Sequence, residues 1–171
     1  EGVTGSCHEL NWGDRHGLLV DCGIFQGDEA KKHPTPEINF ALTKIESMLL
    51  THVHIDHAGR IPYLLAAGFK QPIYCSHPTA ELLPLVMEDA LKIGFTRSRN
   101  LIGKFLRQVK SLLQPLDYDT WHNITGGASL RLRPAGHVLG SSIFEVQLPD
   151  GKTVVFSGDI GTGKDPLLRP P

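Results

Sequence analysis

His52, His54, Asp56 and His57 crowd three imidazoles and a carboxylate into six consecutive residues, the donor set that Zn2+ and ions of similar softness prefer. Alternate residues of an extended turn point the same way, so His52 and His54 can share one ion. Asp56 and His57 are adjacent and diverge from that pair, which suits them to a second ion close by. A polar loop with a helix cap would explain the same letters, but has no need to gather four ligands. Two later residues fit as further ligands. His137 follows Gly136, and Asp159 follows Gly158 just beyond the apolar run Thr153 to Phe156. A glycine beside each lets the backbone approach closely. Either residue alone would be unremarkable; their order along the chain gives them weight. Two ions ~4 Å apart lower the pKa of a shared water toward ~7 and offset the charge that builds on an attacked phosphorus, with no nucleophilic side chain required.

Several elements must deliver these residues. Leu18-Leu19-Val20 reads as the buried end of a hairpin and leaves Asp21 at a strand end, where a capping role is the alternative to a place in the site. Residues 28–37 are polar and, with Gly27, Pro34 and Pro36, read as a loop. Ile45 to Thr51 is a second buried strand that feeds the histidine cluster into a following loop. Ile61 to Ala67 is expected to be helical, Pro72 to Cys75 a short strand, and Pro78 to about Ile93 a helix opened by Pro78 and Thr79. From Leu101 to Leu113 the apolar residues keep to one helical face, with Lys104, Arg107 and Lys110 off it. Residues 129–133, 143–148 and 153–156 read as strands. Strand and helix alternate, which is the α/β class.

The bulk properties set limits. A chain of 171 residues with 40% hydrophobic and 20% charged residues supports one compact domain. Its 17 Lys and Arg are balanced by 18 Asp and Glu, for a net charge of -1, so no global basic field draws in a polyanion. The basic stretch Arg97 to Lys110 reads first as the solvated back of an amphipathic helix and only second as a nucleic-acid contact. Trp12, Trp121 and His122 read as core or rim. Cys7, Cys22 and Cys75 lack C-x-x-C spacing, read as small buried residues, and suit a reducing, cytoplasmic setting. No apolar stretch approaches the ~20 residues of a membrane span, so no membrane partner is expected.

Taken in order, Leu19-Val20-Asp21-Cys22-Gly23, Thr51-His52-Val53-His54-Ile55-Asp56-His57, Ala135-Gly136-His137 and Phe156-Ser157-Gly158-Asp159 resemble the successive motifs of the metallo-β-lactamase fold. Five longer runs resemble its β-CASP branch of RNA-processing metallonucleases, which includes ribonuclease J and the polyadenylation cleavage subunit. They are Val3-Thr4-Gly5-Ser6-Cys7, Asp21-Cys22-Gly23-Ile24-Phe25-Gln26-Gly27, Asp56-His57-Ala58-Gly59-Arg60-Ile61-Pro62, Gly136-His137-Val138-Leu139-Gly140-Ser141 and Ser157-Gly158-Asp159-Ile160-Gly161. The resemblance implies an αββα sandwich. It also implies one zinc on His52, His54 and His137, a second on Asp56 and His57, and Asp159 between them. Asp21 would accept an N–H from a ligand imidazole and fix its tautomer, and Asp56 would take a proton from the attacking water. Mn2+ or Fe2+ would also suit these ligands.

In the family pattern a large β-CASP insertion, the rest of the domain and a last histidine follow the Ser-Gly-Asp motif. Residues 1–171 therefore correspond to the N-terminal portion of the metallo-β-lactamase domain, expected to be inactive alone and to self-associate through an exposed sheet face. RNA is the expected substrate, with DNA as an alternative. A small thioester, lactone or lactam is the runner-up, since fold alone does not set the substrate. A non-catalytic scaffold would be expected to have lost ligands, and all six positions are filled.

Overall fold

The computed structural model describes residues 4–32, 35–94 and 96–171. Val3 of the first of the five longer runs and Pro34 of the expected loop lie outside them.

Two sheets face each other. The first has the order β1 (His8–Trp12), β2 (His16–Val20), β3 (Ile45–Leu49), β4 (Ile73–Ser76) and β5 (Leu113–Leu116). β1 and β2 form the expected antiparallel hairpin; β2 to β5 are parallel. Parallel neighbours need crossovers. Among them are the helices α2 (Ile55–Ala58) and α3 (Ile61–Ala66) between β3 and β4, and α4 (His77–Gly94) and α5 (Arg99–Leu112) between β4 and β5. The second sheet is an antiparallel meander of β6 (Trp121–Asn123), β7 (Ser129–Pro134), β8 (Ser142–Gln147) and β9 (Thr153–Phe156).

Side-chain alternation along the strands builds two cores. Leu19, Met48 and Leu50 face the helices and pack with Ile61, Leu64, Leu83, Met87 and Val109. Leu18, Val20 and Leu49 face the other way and meet Leu130, Leu132, Phe144 and Val146 of the second sheet. Cross-strand register keeps these residues together, with Leu130 opposite Val146 and Leu132 opposite Phe144. The outer face of the second sheet carries Arg131 against Glu145, Arg131 over the Trp121 ring at 4.5 Å, and Val155 at 57% exposure. Helices thus cover the first sheet and, among the described residues, none covers the second: an αββ part of the expected αββα sandwich.

Three local expectations change. Residues 27–32 form a short helix, α1 (Gly27–Lys32), where a loop was expected; Asp28 and Glu29 stand in its first turn, where the helix dipole favours them. The segment after β3 is a loop only as far as His54, because α2 starts at Ile55 and takes in Asp56 and His57. Leu113, expected to close the helical face of α5, begins the edge strand β5, in which Pro115 is tolerated.

Candidate metal centre

Four chain segments meet at one edge of the sandwich. The parallel strands β2 and β3 end there and deliver Asp21 and Thr51 to His57. β7 and β9 are each antiparallel to β8 and so run the same way, bringing the turns at Gly136-His137 and Gly158-Asp159 to that edge. Glycine is needed where these segments touch. A Cβ on Gly23 would overlap the Asp56 carbonyl, and one on Gly161 would overlap the Gly136 carbonyl. Gly161 N–H donates to Ala135 C=O at 2.8 Å, so the two late turns are tied directly together.

Among the described residues, His52, His54, His137 and Asp159 each offer a ligand atom within 4.8 Å of the others. His54 Nδ1 lies 3.2 Å from His137 Nε2. Asp159 Oδ2 lies 3.5 Å from His137 Nε2 and 4.0 Å from His52 Nε2. The other oxygen, Oδ1, is 3.3 Å from His57 Nε2. Two donors each ~2.0–2.1 Å from a tetrahedral ion sit ~3.3 Å apart, which is close to most of these separations. Asp159 therefore turns one oxygen to His52 and His137 and the other to His57. Asp56, in the first turn of α2, is partly buried and lies outside the four-residue cluster; its charge helps raise the pKa of His57.

One atom tests whether a cation fits. His52 is fully buried, and its Nε2 is the sole buried side-chain nitrogen or oxygen among the described residues without a hydrogen-bond partner. A buried polar atom left unpaired costs ~1–3 kcal/mol, and this one faces the cluster. Burial, reinforced by the neighbouring His57, His54 and His137, pushes the His52 pKa down to about 2. Its lone pair is therefore free for a metal at any ordinary pH. The donor set and the orphaned nitrogen fit a divalent ion such as zinc.

Asp21 stands behind the ligands. It is 1% exposed and adopts φ 57, a left-handed conformation that aspartate tolerates better than most residues. Its carboxylate accepts from His57 Nδ1 at 2.7 Å, Thr51 N–H at 2.8 Å, the Thr51 hydroxyl at 2.9 Å and the Ser6 hydroxyl at 3.2 Å. Burial works against protonation of His57, but the Asp21 hydrogen bond and charge, with Asp159 and Asp56, raise its pKa. Sequence reasoning missed three supporting hydroxyls. Ser6 and Thr51 contact Asp21, and Ser141 Oγ accepts from the N–H groups of His137 and Val138 at 3.1 and 3.2 Å. All three stand inside runs that carry the resemblance, and their residue types alone give them no role.

Other expected features fall as follows. Lys104, Arg107 and Lys110 are exposed on α5, on the helical side of the first sheet. Trp12 packs against the core between the sheets, stacks on His16 and donates to Gly126 C=O, while Trp121 is 41% exposed under Arg131 and His122 is partly buried, so the three lie at the rim as expected. Cys22 and Cys75 are buried and Cys7 partly so. Among the described residues no helix is long and apolar enough to cross a membrane.

Comparison with known proteins agrees with this geometry. The family model of the metallo-beta-lactamase superfamily matches residues 3–171. Ribonuclease TTHA0252 of Thermus thermophilus is 38% identical over 99% of this chain and 38% of its own length. The transcription termination factor FttA of Methanosarcina mazei is 33% identical over 90% of the chain and 25% of its own length. The endoribonuclease YSH1 of Gibberella zeae is 31% identical over 95% of the chain and 20% of its own length. The chain thus spans well under half of each relative. A crystal structure of a protein of unknown function from Enterococcus faecalis superposes with a TM-score of 0.66 at 18% identity, covering 92% of this chain and 41% of that one. A Cronobacter sakazakii metallo-beta-lactamase superposes with a TM-score of 0.58 at 22% identity, covering 96% and 56%; likeness at these identities speaks for the fold alone. With the family match running from end to end of the described structure, the chain belongs to the metallo-beta-lactamase superfamily.

Proposed function

We propose that this chain is the metal-binding part of an RNA-processing phosphodiester hydrolase of the β-CASP type, holding two zinc ions, with Mn2+ or Fe2+ as substitutes. The observation that carries the metal reading is the orphaned, buried Nε2 of His52 facing His137 and Asp159. His52, His54 and His137 would hold one ion, Asp56 and His57 the other, and Asp159 would serve both. Bound divalent ions supply Lewis acidity, making a water nucleophilic near neutral pH and offsetting charge on the phosphorus. Asp21 holds the proton on His57 Nδ1 and keeps Nε2 facing Asp159. Asp56 would accept the water's proton on its carboxylate.

The names of the relatives, a ribonuclease and an endoribonuclease among them, support RNA over a small thioester, lactone or lactam. DNA is the alternative polymer. The filled ligand positions speak against a non-catalytic scaffold. Residues 1–171 serve as the N-terminal portion of the domain, with the β-CASP insertion and the rest of the domain supplied beyond it. The outer face of the second sheet, with Trp121 and Val155 exposed, is the surface through which copies would associate. Three free thiols suit a reducing, cytoplasmic setting.

The test is elemental analysis of chain prepared without chelator, beside His52→Ala and Asp159→Ala, followed by cleavage of a labelled single-stranded RNA by the full-length protein. Near two ions in the parent, a loss in both variants, and cleavage of RNA ahead of DNA and a thioester are expected. A well-folded full-length protein without metal would overturn the reading, and thioester hydrolysis without RNA cleavage would move it to the runner-up.

A further inference from the structure

We infer that the Thr51 hydroxyl is a positioning group that ties both sides of the metal cluster to the one buried carboxylate of Asp21. This rests on the metal-binding reading above and assigns a role to a residue that is not itself a ligand.

Thr51 is 1% exposed, so water does not substitute for its partners. Its Oγ1 lies 3.0 and 2.9 Å from the two Asp21 oxygens and 3.0 Å from His52 Nδ1. A hydroxyl has one hydrogen to give, and an ionised carboxylate can only accept. The Thr51 hydrogen therefore goes to Asp21, and Oγ1 is left as the acceptor for His52 Nδ1–H. That sets the tautomer of His52. With its hydrogen on Nδ1, the lone pair is on Nε2, the buried unpartnered atom 4.0 Å from Asp159 Oδ2. His57 receives the same tautomer directly, its Nδ1 lying 2.7 Å from Asp21 and its Nε2 3.3 Å from Asp159 Oδ1. One carboxylate thus orients the imidazoles on both sides of Asp159, one by contact and one through Thr51.

The rest of Thr51 seats the other half of the site. Gly158 has φ 52, and a Cβ there would come 2.8 Å from Thr51 Cβ and 3.0 Å from its Oγ1. The turn that carries Asp159 therefore rests on the Thr51 side chain. Thr51 C=O also accepts from Ser142 N–H at 2.9 Å, which fixes it to the second sheet. The branched Cβ restricts the side chain at χ1, so the hydroxyl stays aimed.

The test uses the chain with 15N-labelled histidine, metal-free at pH 8, read by long-range proton–nitrogen correlation, together with zinc affinity measured by competition with a chromogenic chelator. In the parent, His52 is expected as the Nδ1–H tautomer. Thr51→Val should shift His52 toward Nε2–H and weaken zinc binding by roughly 10- to 100-fold, the usual effect of losing a partner behind a ligand. Thr51→Ser should retain the tautomer and bind zinc more nearly like the parent. An Nε2–H His52 in the parent, a valine variant that binds zinc like the parent, or a serine variant as weak as the valine one would each overturn the inference. The parent measurement needs no substitution to fold. A parent that shows Nδ1–H yet takes up no zinc would support the positioning role while removing the metal reading.

Discussion

Replacing Asp21 by asparagine keeps its shape and removes its charge, and the cost should depend on pH. The carboxylate accepts from His57, from the Thr51 N–H and hydroxyl, and from Ser6, all within 3.2 Å. Asparagine offers one carbonyl oxygen and turns an NH2 toward at least one of these donors, a mismatch that costs about 1–3 kcal/mol when buried. A second contribution comes from His57. Burial lowers its pKa, but the Asp21 hydrogen bond and charge, with Asp159 and Asp56, hold it above 6.5 in the fold. A folded-state pKa that is raised means stabilisation fully present below ~6.5 and lost as pH rises through the folded value. Without Asp21 the buried His57 sheds its proton instead of staying as an unpaired imidazolium, so each tenfold that Asp21 adds to the ring's proton affinity is lost as about 1.4 kcal/mol at low pH. Metal-free Asp21→Asn should therefore be less stable than the parent by about 1–3 kcal/mol at pH 9, with about 1.4 kcal/mol more at pH 6 for each such tenfold. With a urea slope near ~2 kcal/mol/M, the midpoint would fall by roughly 1 M at pH 9 and by a further ~0.7 M at pH 6 for each such tenfold. Equal losses at the two pH values would refute the coupling of His57 to Asp21.

Three further outcomes are expected. Gly161→Ala forces a methyl against the Gly136 carbonyl, so it should part the His137 and Asp159 turns and weaken zinc binding about tenfold; a calorimetric titration matching the parent would contradict this. Phe144→Ala, at a fully buried position between the sheets, should cost about 3–5 kcal/mol in urea unfolding, whereas Val155→Ala, 57% exposed on the outer face, should stay within about 0.5 kcal/mol. Cys7, whose thiol pKa is lowered by a hydrogen bond from Cys22, should react first with a chromogenic disulfide at pH 7.5. Cys22, its pKa raised by the same hydrogen bond and by burial, and Cys75, pushed up to about 12 by burial, should wait for unfolding; three equal rates would argue against this microenvironment.

The buried strands were legible because Leu18 to Val20 and Met48 to Leu50 are continuous apolar runs, and α5 because its stripe recurs at helical spacing. α1 was hidden by the glycine and prolines around it. β5 was hidden because Leu113 also completes the stripe of α5, so its strand character comes from pairing with Ile73. The three residues of β6 have no periodicity of their own and are strand only through β7. At the site, the candidate ligands were legible by type, since clustered histidine and aspartate are uncommon without a cause. Ser6, Thr51 and Ser141 were not, because hydroxyls are common and theirs gain meaning from partners such as Asp21, 15 residues from Ser6 and 30 from Thr51. The extended reading of the segment holds as far as His54, whose backbone is extended, and α2 then winds Asp56 and His57 into a helical turn.

The direct backbone contact between the Gly136 and Gly161 turns makes His137 and Asp159 a single clasp carried by the second sheet. His52, His54 and His57 belong to the first. How far apart the two groups stand is then set by how the sheets seat against each other, and so by the bulk of Leu49, Leu132 and Phe144 between them. On the proposed metal reading the apolar interface would work as a caliper, its volume gauging the opening left between the two groups of candidate ligands.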